Sequence, residues 1–301
     1  MFRLLKLFCL GLCFSFFMIS PVPASAQSTI AENTAKQESI PKNMPKELFD
    51  DTPLIPTKVF DNLFCIGSHS VVAWALQTTD GIILIDSMWD DHDAQTIIDG
   101  MQELGLDPTQ IKYILVTHGH GDHYGGAQFL KDKYHAKILM SATDFKFMNS
   151  LSTGPNGPRS PKCSVDEFLS DGEQLTLGNT TIDIIATPGH TPGCISLLYP
   201  VMQNGKTLMA AQWGGTGLPG TLAEKITYRK SIDHFAQYAQ KTNATVEITA
   251  HLFSENGYQK LEACRKQTAG QINPFDLGKD GFANYLDSLR KSTDEAIASS
   301  K

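Results

Sequence analysis

The sequence lacks an excess of basic residues. It contains 25 lysines and arginines against 32 aspartates and glutamates, so its formal net charge is −7. An acidic chain repels the phosphate backbone of nucleic acids, and no basic cluster along the sequence offsets that repulsion. The composition therefore argues against nucleic acid as a partner and favours a small, neutral or zwitterionic substrate.

Cysteine is also scarce. None of the four cysteines beyond residue 26 lies in a CxxC pair. Four cysteines allow three disulfide pairings, and an exported protein would permit a bridge. The sequence leaves open whether one bridge forms or all four remain thiols: Cys65, Cys163, Cys194 and Cys264.

Long hydrophobic runs are absent beyond the amino terminus. There, Arg3 and Lys6 precede an apolar stretch over residues 7–19, and residues 24–26 (Ala-Ser-Ala) provide a small-residue cleavage site. The stretch is shorter than the roughly 20 residues needed to span a bilayer, which favours a signal peptide over a membrane anchor. Cleavage after Ala26 would remove two positive charges and no acidic residue, moving the net charge from −7 to −9. We expect a periplasmic or secreted protein without a membrane anchor.

The remaining sequence predicts an irregular, polar lead-in over residues 27–56 and one domain over residues 57–301. Turn residues between short apolar runs predict two hairpins at the start of the domain, centred on residues 61–62 and 80–81. Apolar periodicity then predicts an alternation of element types along the chain. Strands are expected over 113–116, 136–140, 175–177, 181–186, 195–199, 207–210 and 246–249, and helices over about 94–104, 124–133, 231–241 and 282–298.

This order of elements predicts an α/β fold built on two sheets. Each sheet can bury one face against the other sheet and its opposite face under helices. We therefore expect a four-layer αβ/βα sandwich.

One segment, Thr117-His118-Gly119-His120-Gly121-Asp122-His123, holds four metal-ligand side chains directly after a predicted strand. Residues two apart in an extended chain point the same way, so His118 and His120 are placed to bind one metal ion. The turn that follows directs Asp122 and His123 towards a neighbouring position. A helix cap would explain Asp122 alone, but imidazole and carboxylate groups together are typical zinc ligands.

Two distant histidines can supply further ligands. His190 lies in the turn 187–193 (TPGHTPG), and His251 follows the predicted strand over 246–249. Either one alone would be an ordinary loop histidine, but a pair of ions needs ligands from other strands. Asp86, at the end of a predicted buried strand, is expected to orient a ligand histidine or the motif loop. We expect the other histidines to be surface or structural residues: His69, His92, His135 and His234.

Asp86, the THxHxDH motif, the TPGHTPG turn and His251 together resemble the metallo-β-lactamase superfamily over residues 57–298. The resemblance implies two Zn²⁺ ions per chain. Three histidines would bind the first ion: His118, His120 and His190. A mixed group would bind the second: Asp122, His123 and His251.

The stretch 208–215 (LMAAQWGG) departs from most members of this family. Lactonases, glyoxalase II and RNA-processing nucleases carry a metal-bridging aspartate there, and the first two lactamase subclasses carry a cysteine; this chain has neither. The third (B3) subclass also uses neither, and the signal peptide, the intact motif and the terminal amphipathic helix resemble that subclass. The loop 213–220 does not match its serine-containing loop.

The resemblance implies a hydrolase that opens the β-lactam ring of antibiotics by attack of a metal-bound hydroxide. Asp122 would both bind metal and orient the attacking water. Another cyclic amide or ester is the alternative substrate of the same di-zinc site. Two other classes remain: an iron-dependent oxidoreductase, which expects an aspartate near Gln212, and a non-catalytic zinc module, which usually has four ligands per ion. No oligomeric state follows from the sequence.

Overall fold

The computed structural model describes residues 44–152, 160–268 and 270–300. The predicted signal peptide and residues 27–43 of the predicted lead-in lie outside these ranges. The rest of the lead-in packs on the domain: the Leu54 N–H donates to the Gly67 carbonyl at 2.8 Å, and the Ser70 hydroxyl donates to the Leu48 carbonyl at 2.6 Å. Within the described ranges, no helix has the length and apolar character needed to cross a membrane.

Seven strands lie side by side in chain order in the first sheet: β1 (Thr57–Lys58), β2 (Leu63–Gly67), β3 (Val72–Thr78), β4 (Gly81–Ile85), β5 (Ile111–Leu115), β6 (Lys137–Ser141) and β7 (Glu167–Leu169). The first four pair antiparallel, and the two predicted hairpins join β1 to β2 and β3 to β4. From β4 to β7 the pairing is parallel. Parallel strands direct their carboxyl ends to one edge of a sheet, so the loops that follow β4, β5 and β6 meet there.

Five strands form the second sheet: β8 (Gln174–Leu177), β9 (Thr180–Ala186), β10 (Ile195–Gln203), β11 (Lys206–Gln212) and β12 (Val246–Ile248). The first four form an antiparallel meander, and β12 adds in parallel beside β11. The described helices are α1 (Asp91–Glu103), α2 (Gly121–Tyr124), α3 (Ala127–Tyr134), α4 (Ala142–Ser150), α5 (Leu222–Lys241), α6 (Gly257–Lys266) and α7 (Gly278–Ala298).

Alternating strand residues divide the core into three apolar layers. Leu84 of β4 faces α1 and α3, whereas its neighbour Ile83 faces the second sheet. Ile184 of β9 meets Ile83 in the layer between the sheets, and Ile185 faces α5 and α7. Successive strand residues point to opposite faces, so each sheet buries both of its faces. The predicted four-layer sandwich is confirmed.

Three features of the helices differ from the sequence-based prediction. The helix predicted over 124–133 is interrupted at Gly125 and Gly126, where the Gly126 N–H donates to the Ser87 carbonyl in the loop after β4 at 3.2 Å. The loop lies so close that a Cβ on Gly125 would be 1.8 Å from the Trp89 carbonyl oxygen. Helix α5 begins at Leu222 rather than Ser231, after a capping box formed by Thr221 and Glu224. Helices α4 and α6, like β7, were not predicted. They are short, and their few apolar residues give a weak periodic pattern.

All four described cysteines are free thiols, and Cys264 alone among them is partly exposed. The question of a disulfide that the sequence left open is therefore resolved for these residues.

Candidate dinuclear metal centre

Three strand ends bring the predicted ligands to one place. The motif residues follow β5, His190 follows β9, and His251 follows β12. A hydrogen bond from the Ile195 N–H to the Thr117 carbonyl, at 3.0 Å, joins the second sheet to the motif loop. The two sheets therefore meet at the edge where the ligand-type side chains collect.

The first group consists of three histidines whose nearest ring nitrogens all lie within 4.8 Å of one another: His118, His120 and His190. Nδ1 of His120 lies 3.1 Å from Nε2 of His190. The Nδ1–H of His190 donates to the Gly217 carbonyl at 2.7 Å, which leaves Nε2 as the nitrogen with a free lone pair. The three rings are thus held edge to face around a common point.

The second group consists of Asp122, His123 and His251. One carboxylate oxygen of Asp122 lies 3.4 Å from Nε2 of His123 and 3.4 Å from Nε2 of His251. The Nδ1–H of His251 donates to the Ser70 carbonyl at 2.9 Å, so its Nε2 faces the group as an acceptor. The ring centroids of His118 and His123 are 3.9 Å apart, which makes the two groups neighbours.

Two buried nitrogens show that the groups suit metal ions. Nε2 of His118 and Nε2 of His123 have no hydrogen-bond partner among the described residues, although an Asp122 oxygen lies 3.4 Å from Nε2 of His123. An unpaired buried nitrogen costs roughly 1–3 kcal/mol, and such groups are rare in folded proteins without a reason. A cation bound in each group would satisfy them. The donor atoms of both groups are nitrogen and oxygen only. Together with the unpaired nitrogens, this suggests a dinuclear metal site.

The histidines of the first group are held neutral. Burial, followed by the neighbouring His123, His190 and His120 rings, lowers the pKa of His118 well below its usual value. Burial and the His120 ring lower the pKa of His190 to about 3. A neutral imidazole keeps the lone pair that a metal ion requires, so these residues are prepared to bind.

In the second group, the opposite charges of Asp122 and His123 stabilise each other. Burial would lower the pKa of His123, but the carboxylates of Asp122 and Asp86 outweigh burial and raise it to about 10. Burial would likewise raise the pKa of Asp122, yet His123 and His251 hold it well below its usual range. A metal ion bound by this group would therefore displace a proton from His123.

Asp86 contacts both groups that it was expected to orient, the motif loop and a ligand-type histidine. One oxygen accepts a hydrogen bond from the Thr117 N–H at 2.8 Å, and the other lies 2.8 Å from Nδ1 of His123. Its φ of 61° places it in the left-handed region, which is uncommon for a residue other than glycine and often marks a functional site. Asp86 thus orients the motif loop and a ligand-type histidine together.

Sequence reasoning missed several groups that hold the site. The carbonyls of Gly217 and Ser70 position two histidines, and Asp144 contacts two of the ligand loops. Backbone acceptors carry no residue signature, so no sequence pattern identifies them. The remaining histidines lie outside both groups: His69 beside Asp50, His92 on α1, His135 at the end of α3, and His234 beside Asp171.

A four-layer sandwich with six ligand-type side chains at one edge defines a class of metal-dependent hydrolases. The family model of the metallo-beta-lactamase superfamily matches residues 66–203. A hydroxyacylglutathione hydrolase of Brucella anthropi is 31% identical over 215 residues, covering 62% of this chain and 75% of that protein. The chain belongs to the metallo-beta-lactamase superfamily, as the sequence motifs predicted.

Other relatives carry different activities in their names. The N-acyl homoserine lactonase AttM of Rhizobium radiobacter is 29% identical over 171 residues, covering 52% of this chain and 64% of that protein. The chain therefore matches less than two thirds of that relative's length.

Solved structures of metallo-beta-lactamases have a fold similar to that of this chain. BJP-1, a subclass B3 metallo-beta-lactamase of Bradyrhizobium japonicum, superposes with a TM-score of 0.72 at 25% identity, covering 85% of this chain and 97% of that chain. Native FEZ-1 metallo-beta-lactamase from Legionella gormanii gives a TM-score of 0.73 at 23% identity, covering 83% and 98%, and at that identity it shows the fold alone.

Proposed function

We propose that this chain is an exported di-zinc hydrolase that opens the β-lactam ring of antibiotics. The observation that carries the proposal is the composition of the second ligand group. It consists of Asp122, His123 and His251, and among the described residues no bridging carboxylate or cysteine joins them. That ligand set is the one the sequence resemblance associates with the B3 lactamases.

Gln212 occupies the end of β11, where the resemblance places the bridging aspartate of lactonases. It is buried, and its side-chain oxygen accepts a hydrogen bond from the Tyr199 hydroxyl at 3.0 Å. A neutral amide already engaged in this way is a poor substitute for a metal-bridging carboxylate. This position favours a lactamase over a lactonase or an iron-dependent oxidoreductase.

Two bound zinc ions would supply a water activated near neutral pH and would polarise the scissile carbonyl. The chain's own contribution begins with Asp122, whose depressed pKa keeps its carboxylate ionised at neutral pH and able to accept a hydrogen bond from the attacking water. The three neutral histidines keep their lone pairs directed at the other position. No serine or cysteine nucleophile is needed in this arrangement.

One half-buried aromatic ring lies beside each ligand group. The Phe147 ring lies 5.7 Å from that of His120, and the Phe253 ring lies 5.1 Å from that of His251. Aromatic surfaces at these positions would pack against an apolar substituent of the substrate and exclude water from the carbonyl. Trp213, by contrast, is part of the core.

A second candidate function is hydrolysis of another cyclic amide, or of an ester or thioester. It is favoured by the names of the sequence relatives, a lactonase and hydroxyacylglutathione hydrolases. The same site would polarise a carbonyl whose leaving atom is oxygen or sulfur instead of nitrogen.

The test is turnover by the protein beginning at Gln27, with zinc, after chelation, and as the variant His118→Ala. A chromogenic cephalosporin, an N-acyl homoserine lactone and a hydroxyacylglutathione thioester are assayed in parallel. His234→Ala is the matched control, because His234 pairs with Asp171 away from both groups. Metal-dependent cephalosporin turnover, lost with His118 and kept without His234, would support the proposal. If only the lactone or the thioester is hydrolysed, the β-lactamase proposal is wrong and the second candidate function takes its place.

A further inference from the structure

The first turn of α4 lies between two loops that carry the histidines of the first group. Asp144, in this turn, is fully buried. One of its carboxylate oxygens accepts hydrogen bonds from the Gly119 N–H at 2.8 Å and from the Thr191 hydroxyl at 2.5 Å. The other accepts from the Gly193 N–H at 2.6 Å. A single side chain thus receives three donors from two distant segments of the chain.

The three donors are placed directly around the ligand-type residues. Gly119 lies between His118 and His120, and Thr191 immediately follows His190. The Asp144 carboxylate therefore connects the two motif histidines to the turn histidine, although the turn is far away in sequence. None of these hydrogen bonds goes to a histidine ring, so Asp144 acts through the backbone of the two loops and through Thr191, the neighbour of His190.

The two loops also pack against the start of α4 without spare room. A Cβ on Gly193 would lie 2.4 Å from the Ser141 hydroxyl oxygen, and a Cβ on Gly119 would lie 2.8 Å from the Asp144 carbonyl oxygen. The Ser141 hydroxyl in turn donates to the Gly193 carbonyl at 2.6 Å. Close contact and three hydrogen bonds to a buried carboxylate leave the loops little freedom to separate.

We propose that Asp144 is the positioning residue of the three-histidine group, setting the spacing of His118 and His120 relative to His190. The inference rests on the proposed metal-dependent function. Hydrogen bonds to a carboxylate are roughly twice as strong as neutral ones, and outer-shell contacts of this kind determine how precisely ligands are oriented. The second group is held by different contacts, through Asp86 and the Ser70 carbonyl. Loss of the Asp144 contacts therefore weakens one metal position selectively.

Substitutions at Thr191 test the proposal with the smallest change in side-chain volume and charge. Thr191→Val removes one donor at nearly constant volume, and Thr191→Ser restores the hydroxyl. Asp144→Asn places an amide NH₂ against backbone donors and removes the charge. Asp166→Asn is the matched control, because Asp166 also accepts a backbone N–H, that of Ile138 at 2.8 Å, but lies away from the ligand loops.

The measurement is the affinity for each of two Co²⁺ ions, by competition with a chromophoric chelator, together with the visible absorption of bound cobalt. We expect Asp144→Asn and Thr191→Val to weaken one ion about 10–100-fold and to change its spectrum, leaving the other ion within about threefold of the wild type. Thr191→Ser and Asp166→Asn are expected to match the wild type.

Unchanged affinities in both Asp144→Asn and Thr191→Val, or equal weakening of both ions, would overturn the inference. If Asp144→Asn does not fold, the Thr191→Val and Thr191→Ser pair decides alone. A wild-type protein that binds two ions but hydrolyses no substrate would refute the proposed function and leave the positioning role to be decided by the affinities. A wild-type protein that binds no metal would overturn both.

Discussion

Gly215 lies against His190, and an alanine at this position would test how tightly the loop after β11 holds that ring. A Cβ on Gly215 would lie 2.4 Å from Cβ and 2.7 Å from Cγ of His190. His190 has little room to yield, because its Nδ1–H donates to the Gly217 carbonyl. The loop is also anchored, since the Gly215 carbonyl accepts hydrogen bonds from the Trp213 indole and the Tyr228 hydroxyl, each at 2.7 Å.

The expected change in the free energy of unfolding follows from two opposing effects. Forcing an extra carbon into a packed site costs about 1–3 kcal/mol, whereas replacing glycine by alanine stabilises by about 0.4–1 kcal/mol through the unfolded chain. Gly220→Ala isolates the second effect, because nothing lies within 4 Å of a Cβ there. Gly217→Ala is intermediate, with its nearest contact at 3.2 Å from the His190 ring. We expect Gly215→Ala to be about 1–3 kcal/mol less stable than Gly220→Ala.

The assay is urea unfolding of the three variants in the presence of chelator, repeated with zinc. Metal binding stabilises the folded state by an amount that falls by about 1.4 kcal/mol for each tenfold loss of affinity at saturating metal. Gly215→Ala should lose part of this metal-dependent stabilisation, and Gly220→Ala should retain it. Equal stability of Gly215→Ala and Gly220→Ala, with and without zinc, would refute the steric argument.

Three further predictions address the ligands, their ionisation and export. Replacing His251 with alanine removes one side chain of the second group, so the dialysed protein should retain one tightly bound metal ion per chain instead of two when its metal content is measured; two equally tight ions would contradict the assignment. His118 and His190 have lowered pKa values in the folded, metal-free protein, against a usual value of 6.5. Below that value the unfolded chain binds more protons, so the melting temperature of the apoprotein should fall as the pH drops from about 7 towards 4. A flat profile would show that these rings are not held neutral. Expression of the full-length sequence should yield a periplasmic protein beginning at Gln27 by mass spectrometry, and a full-length protein retained in the membrane fraction would contradict the predicted signal peptide.

Local patterns predicted the part of the site that lies within one loop. His118 and His120 alternate along an extended chain, and Asp122 and His123 follow in the same turn, so their proximity needs no long-range contact. The two hairpins were predictable for the same reason, since their turns are specified by adjacent residues. The continuous helix predicted across Gly125 was wrong because apolar periodicity continues through this position, whereas the Gly126 N–H donates to the Ser87 carbonyl, which lies far away in the sequence.

Contacts between distant segments were harder to predict from the sequence. Asp144 belongs to a short helix with few apolar residues, so neither its helix nor its hydrogen bonds were foreseen. The carbonyls of Gly217 and Ser70 orient His190 and His251, but any residue supplies a carbonyl, and its direction depends on the fold.

The sequence by itself determined the type and order of most elements and the residue types able to bind metal, because these depend on neighbours within a few positions. Only the tertiary structure decided that His190 and His251 meet the motif residues. Their approach requires the two sheets to pack face to face through the apolar layer that holds Ile83 and Ile184. The same packing decides which nitrogen of His123, His190 and His251 faces the metal groups, since the oxygen atoms that contact the other nitrogen of these rings come from segments far away in the chain.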